Sequence, residues 1–205
     1  MVLACLLRYH RLMTAELHRS PRRRHAADGF SLIEMMVVVA IGIILAAVAV
    51  PVSSNFINTT RADSSVIATV DALTTARDRS VAERRNYLVA FVAPNHIVVT
   101  RQEQPSLTIT PISDTALENG QQFVVFTALP DTPDLFGKAS SVQFTGTGPW
   151  MFTSDGSFVD SNGDVANGTV FLGVPNAAPS ARAVTIYGVT GLMRAWKWRG
   201  AQWYE

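Results

Sequence analysis

Residues 30–52, FSLIEMMVVVAIGIILAAVAVPV, carry one charged side chain, Glu34, in 23 positions. A bilayer hydrocarbon core about 30 Å thick takes roughly 20 helical residues at about 1.5 Å each, so the run is long enough to span. It is apolar on every side rather than striped, which argues against an ordinary amphipathic core helix. Upstream, residues 1–29 hold six arginines (Arg8, Arg11, Arg19, Arg22, Arg23 and Arg24) against Glu16 and Asp28, a net of +4. The remaining 176 residues hold 11 basic and 14 acidic side chains. A basic head before an apolar run is the asymmetry of a membrane-targeting signal, and it predicts a cytoplasmic N-terminus with the C-terminal body outside.

Two residues are unusual for a plain anchor. Glu34 sits in the fifth position of the run, where a central carboxylate costs roughly 2.5–3.5 kcal/mol and calls for a partner. Pro51 lies near the far end; lacking an N–H and crowding the preceding turn, it predicts a kink or local melting. The only cysteine, Cys5, and three of the four histidines precede residue 29. The body therefore has no thiol and a single imidazole, His96. That leaves little for nucleophilic or metal chemistry, and no enzymatic activity or cofactor is expected.

At the junction the chain reads Arg22-Arg23-Arg24-His25-Ala26-Ala27-Asp28-Gly29-Phe30-Ser31-Leu32-Ile33-Glu34. This resembles the signal of type IV prepilins and pseudopilins: basic leader, glycine, phenylalanine, glutamate at the fifth mature position, apolar stretch, and proline at mature position 22, here Pro51. The resemblance implies cleavage between Gly29 and Phe30 by a prepilin peptidase and N-methylation of Phe30. It also implies a pairing of Glu34 with the terminal amine of a neighbouring subunit, which agrees with a carboxylate needing an opposite charge in lipid. A 29-residue leader is long for the family, and initiation at Met13 would shorten it to 17.

Beyond Pro51 the spacing predicts a helix over 61–85, with Val66, Val70, Leu73 and Val81 as its apolar stripe, interrupted by Arg77. After Asn86 the pattern turns to alternation and β-branched runs. Strands are expected at 87–93, 96–101, 106–111, 122–127, 141–144, 150–153, 169–174, 182–187 and 192–198, with turns at Pro94-Asn95 and 188–191. Helix first and strands after predicts an α+β fold, a long helix on a mostly antiparallel sheet. The domain plan is a leader at 1–29, a transmembrane half-helix at 30–52, an amphipathic half at 53–86 and a periplasmic β-rich domain at 87–205. Three segments are similar to minor pilins of the GspH/FimT type: 76–86 (ARDRSVAERRN), 152–156 (FTSDG) and 189–194 (VTGLMR).

Two further sites stand out by residue type. Asp160, Asn162 and Asp164 place oxygen side chains at alternate positions, as a calcium loop does. Val165 and Phe171, however, stand where an EF-hand needs glycine and glutamate, and an Asx-rich turn is the simpler reading. Arg194, Lys197 and Arg199 are interleaved with Trp196, Trp198, Trp203 and Tyr204, a pattern that suits single-stranded DNA. The body is mildly acidic, which gives DNA no general steering. A FimT-like tail would also need an arginine where Leu192 stands. Strand alternation puts Arg194 with Trp196 and Trp198, and Lys197 with Arg199 on the other face.

The expected function is a minor pilin or pseudopilin of a type II secretion pseudopilus or a type IV pilus. Its expected partners are other pilins, the peptidase and the inner-membrane assembly platform. The alternatives are a DNA receptor on the same scaffold and an unrelated signal-anchored periplasmic protein.

Overall fold

The computed structural model describes residues 30–205, apart from the side chains of 48–55. The leader, with Gly29, lies outside the described residues. Among the described residues, one α-helix, α1 (Leu32–Glu83), is followed by eleven strands. The described residues divide into two units, the first ending at Leu45 and the second running from Ala46 to Glu205.

In the first unit, helical structure begins where Ser31-Leu32-Ile33-Glu34 offers the S-x-x-E spacing of a capping box. The Met35 N–H donates to the Ser31 carbonyl at 3.1 Å and closes the first turn. Glu34 stands in that turn, where the helix dipole favours a carboxylate. Every described side chain from Phe30 to Ala47 is exposed. Among the described residues no helix is long and apolar enough to cross a membrane; the apolar run read from the sequence continues to Val52, past the last described side chain. Backbone at Pro51 is helical, so the local melting expected there does not occur.

In the second unit, α1 turns one face to the sheets. Its buried positions are Ala62, Ser65, Val66, Thr69, Leu73, Ala76 and Ser80, spaced at three and four residues. Most are small or hydroxylic. The hydroxyls are satisfied by their own helix: Ser65 Oγ donates to the Ala62 carbonyl (2.8 Å) and Thr69 Oγ1 to the Ser65 carbonyl (2.8 Å). The expected stripe therefore needs correction at its end. Val81 is 47% exposed and Ser80 is buried in its place, because the single Ser80 O–H is shared between the Arg77 carbonyl (2.6 Å) and, across to the sheet, the Thr153 carbonyl (2.9 Å).

The first sheet has the order β3 (Ile109–Ala116), β2 (His96–Gln102), β1 (Asn86–Val92), β6 (Trp150–Phe152), β7 (Phe158–Val159). The second runs β11 (Trp203–Tyr204), β10 (Leu192–Trp198), β9 (Arg182–Tyr187), β8 (Gly168–Gly173), β4 (Gln122–Phe123), with β5 (Val142–Phe144) also on β8. Every pairing is antiparallel. The fold is α+β.

Two expected strands differ. The run read as 106–111 is a turn followed by a longer strand: Leu107 takes a left-handed φ of 56° and its N–H donates to the Glu103 carbonyl. Pro111 does not end β3, because β3 is an edge strand and the register slips beside it, between Val99 and Thr100. The run read as 122–127 pairs only over Gln122–Phe123. Beyond it, Val125 and Phe126 leave the ladder to pack on the tryptophan cluster.

β8 and β9 are buried on both faces. Val170, Leu172, Val184 and Ile186 meet α1, Tyr87, Phe152 and Phe158 in the main core. The alternate residues Phe171 and Ala183 join Leu129, Trp196, Trp198 and Trp203 in a second core. Alternation carries each strand between the two.

Candidate functional site

The three segments that resemble minor pilins meet. Arg77, read as an interruption of the stripe, is a fastener: its Nε donates to the Gly156 carbonyl (3.2 Å) and its Nη2 to the Thr190 carbonyl (3.0 Å). Three residues on, Ser80 bonds the Thr153 carbonyl (2.9 Å). Gly191 permits the approach. Its φ is 61°, and a Cβ there would lie 2.3 Å from the Gly156 carbonyl oxygen and 2.6 Å from Arg77 Nε. Asp155 braces the 153–157 turn by accepting from Thr153 and Ser157, which hold its carboxyl at about 2.

A second fastener was not read from the sequence. Arg182, on β9, is 1% exposed. Its Nε donates to Asp63 Oδ1 on α1 at 2.7 Å, and its remaining N–H groups reach the Thr59, Pro179 and Ala181 carbonyls. Lys197 Nζ takes the other Asp63 oxygen at 2.6 Å. Burial raises the Asp63 pKa, but the bonds from Lys197 and Arg182 outweigh it and hold the carboxyl below its ordinary value. Only the long reach of aspartate to arginine across 119 residues could have announced this, and no local pattern encodes it.

Of the three C-terminal cations, two are engaged by acids. Arg194 Nη1 lies 3.3 Å from Asp134 Oδ1, and Lys197 is bound to Asp63. Arg199 stacks over Tyr204 at 5.1 Å and, among the described residues, has no carboxylate within ion-pair distance. Asp134 is itself a hub, accepting from Thr185 Oγ1 (2.5 Å), the Tyr187 hydroxyl, Trp196 Nε1 (3.2 Å) and Arg194. Burial opposes ionisation there, and these donors overcome it, holding the carboxyl below its ordinary range.

Asp160 is buried, while Asn162 and Asp164 are exposed. Its Oδ1 accepts from the Asn162 and Asp164 N–H groups (2.8 and 3.0 Å), and its Oδ2 from the Thr147 N–H and Asn162 Nδ2 (3.2 and 3.3 Å). The carboxylate caps its own loop. Among the described residues no group of three acidic, histidine or cysteine side chains is placed to hold a metal. His96 Nδ1 lies 2.8 Å from Asp114 Oδ1 on the neighbouring strand, with both side chains exposed at the sheet edge.

Chemically, these arrangements fasten helix to sheet. The face left without a partner is the apolar surface of residues 30–47 with its single carboxylate. Residues 24–50 match the family described as the prokaryotic N-terminal methylation motif. Among solved structures the chain is similar to the minor pseudopilin EpsH from the Type 2 Secretion System of Vibrio cholerae. The two are 13% identical with a TM-score of 0.46, over 67% of this chain and 97% of that chain. No curated protein matches the chain. The exposed apolar helix and its lone glutamate thus begin inside a prokaryotic N-terminal methylation motif, the type IV prepilin signal.

Proposed function

We propose that the chain is a minor pilin or pseudopilin, a non-enzymatic subunit of a type II secretion pseudopilus or a type IV pilus. One observation carries this reading. From Phe30 to Ala47 the helix exposes apolar side chains on every side, with Glu34 the single charge among them. A helix apolar all round must be covered by lipid or by other helices. In the membrane, residues 30–52 form a single pass with the N-terminus cytoplasmic and the body periplasmic. A prepilin peptidase removes residues 1–29 between Gly29 and Phe30, and Phe30 is methylated. In the filament, neighbouring helices replace the lipid, and Glu34 accepts from the terminal amine of the next subunit. The partners are other pilins, the peptidase and the inner-membrane assembly platform.

Co-expression with a prepilin peptidase tests the reading. The expected product begins at methylated Phe30 by N-terminal sequencing and mass. A chain that keeps its leader while a control prepilin is processed would overturn it. Glu34→Ala is expected to leave cleavage intact and reduce incorporation into sheared filaments at least about tenfold, the effect of losing roughly 1.4 kcal/mol of pairing. Normal incorporation would remove the assigned role of Glu34.

A further inference from the structure

Asparagine is followed by glycine three times, at Asn119-Gly120, Asn162-Gly163 and Asn167-Gly168. Such a pair carries chemistry of its own. With no Cβ to block the approach, the glycine amide nitrogen can reach the carbonyl carbon of the asparagine side chain. The fold decides whether it does. The side chain must be free to turn, the amide N–H must have no acceptor, and water must reach both.

The first pair meets all three conditions. Asn119 (φ 61°) and Gly120 (φ 78°) are the central residues of an exposed turn, closed by the Gln121 N–H donating to the Glu118 carbonyl at 3.2 Å. Two left-handed residues in succession are the geometry that Asn-Gly adopts readily. Among the described residues neither the Asn119 side chain nor the Gly120 N–H has a hydrogen-bond partner, and a Cβ at Gly120 would meet no atom within 4 Å. Asn162-Gly163 is equally exposed but tethered. The Gly163 N–H donates to the Asp160 carbonyl (3.1 Å), and Asn162 Nδ2 and N–H donate to the two Asp160 carboxylate oxygens (3.3 and 2.8 Å). Asn167-Gly168 is held at both ends. Asn167 Oδ1 accepts from the Gly188 N–H (2.8 Å), its N–H donates to Thr145 Oγ1 (2.9 Å), and Gly168 is buried in β8.

We infer that Asn119-Gly120 is a site of spontaneous deamidation. The Gly120 amide nitrogen loses its proton to solvent and attacks Asn119 Cγ; the side-chain nitrogen leaves as ammonia and a cyclic imide closes. Water then opens either imide carbonyl. One product is aspartate, and the other is isoaspartate, whose main chain runs through the side-chain carbons. The turn links β3 in the first sheet to β4 in the second. Either product sets a new carboxylate beside Glu118, and isoaspartate also lengthens the link. Nothing in this depends on the membrane anchoring proposed above.

The detergent-solubilised full chain is incubated at mildly alkaline pH with and without guanidinium chloride, and conversion at each asparagine is read by peptide mass spectrometry. In the folded chain Asn119 is expected to convert at least about tenfold faster than Asn162 or Asn167, the factor for one hydrogen bond of about 1.4 kcal/mol. In guanidinium the three rates should converge, since all three residues precede glycine and the fold alone separates them. Asn119→Gln, a change at an exposed turn, should abolish the acidic species that isoelectric focusing resolves as the folded protein ages, because one more methylene slows ring closure. Equal rates at Asn119 and Asn162 in the folded chain overturn the inference. So does a ranking that persists in guanidinium, or an acidic species that accumulates unabated in Asn119→Gln.

Discussion

The two parts of α1 invert the usual relation between hydropathy and burial. Residues 32–47 are apolar almost throughout, and all of them are exposed. Residues 62–80 are studded with serine, threonine and charge, and yet Ser65, Thr69 and Ser80 are buried. The difference lies in what each part meets. Around 62–80, small side chains let the helix backbone come close to β-sheet, and each hydroxyl bonds a carbonyl of the preceding turn, so burial leaves it satisfied. Around 32–47 the side chains are mostly large and, among the described residues, none of them is buried. Within one chain, burial follows shape and hydrogen-bond satisfaction; apolar surface without a complementary shape waits for another molecule.

Cutting the same kind of side chain from both parts should give very different losses. Leu73 is fully buried in the main core, whereas Ile44 is 65% exposed. Leu73→Ala should cost about 2–5 kcal/mol through lost burial and a residual cavity. Ile44→Ala should leave body unfolding unchanged to within about 0.5 kcal/mol. Urea denaturation of the detergent-solubilised chain, followed by tryptophan fluorescence, reads the body in both variants. Comparable losses would mean that the apolar part does pack on its own chain.

The same contrast explains what could be read from the sequence. The apolar run and its glutamate are local features, and so is the motif they begin. The hairpin at Pro94-Asn95 and the turn at 188–191 are legible for the same reason: their chemistry lies within four residues. Ser80 was missed because its burial depends on the Thr153 carbonyl, 73 residues away. Pro111 misled because a proline stops a strand only where its N–H is needed, and edge position is a property of the sheet rather than the strand. Arg77 looked like a flaw in a stripe, yet it joins the three segments that resemble minor pilins. Arg182 and Asp134 gave no signal at all, since each is defined by partners from other elements.

A medium-sized effect is expected where charge fastens helix to sheet. Asp63→Ala leaves the Arg182 guanidinium 1% exposed with carbonyl acceptors only. Because water reaches the Asp63 side, the expected loss is about 1.5–3 kcal/mol, the range for hydrogen bonds to charged groups. Lys197→Ala, which removes the half-exposed partner, should cost only about 0–1 kcal/mol. The comparison is made by urea unfolding of each variant at one salt concentration. If Lys197→Ala is the more damaging change, the buried arginine is not the anchor of the network.

The smallest effect is expected in the pH dependence, and it belongs to the body. Asp63, Asp134, Asp155 and Asp160 all have carboxyls held below their ordinary values, Asp155 at about 2. The folded state therefore binds protons less readily than the unfolded chain, whose aspartates titrate near about 3.9. Stability from these groups is fully present above that value and is lost as pH falls through the folded-state values. The urea midpoint should be level from about pH 7 to about pH 5 and then decline toward about pH 2. Asp134→Asn isolates one contribution. It loses the charge and keeps one acceptor oxygen, so either the Thr185 and Trp196 donors on Oδ2 or the Tyr187 and Arg194 donors on Oδ1 face an amide NH2 instead. Its midpoint should lie below wild type at neutral pH, and the gap should close in acid as the wild-type carboxyl takes up its proton. A gap that stays constant would assign the loss to amide geometry rather than charge, and would leave the tryptophan face of the second sheet held by packing alone.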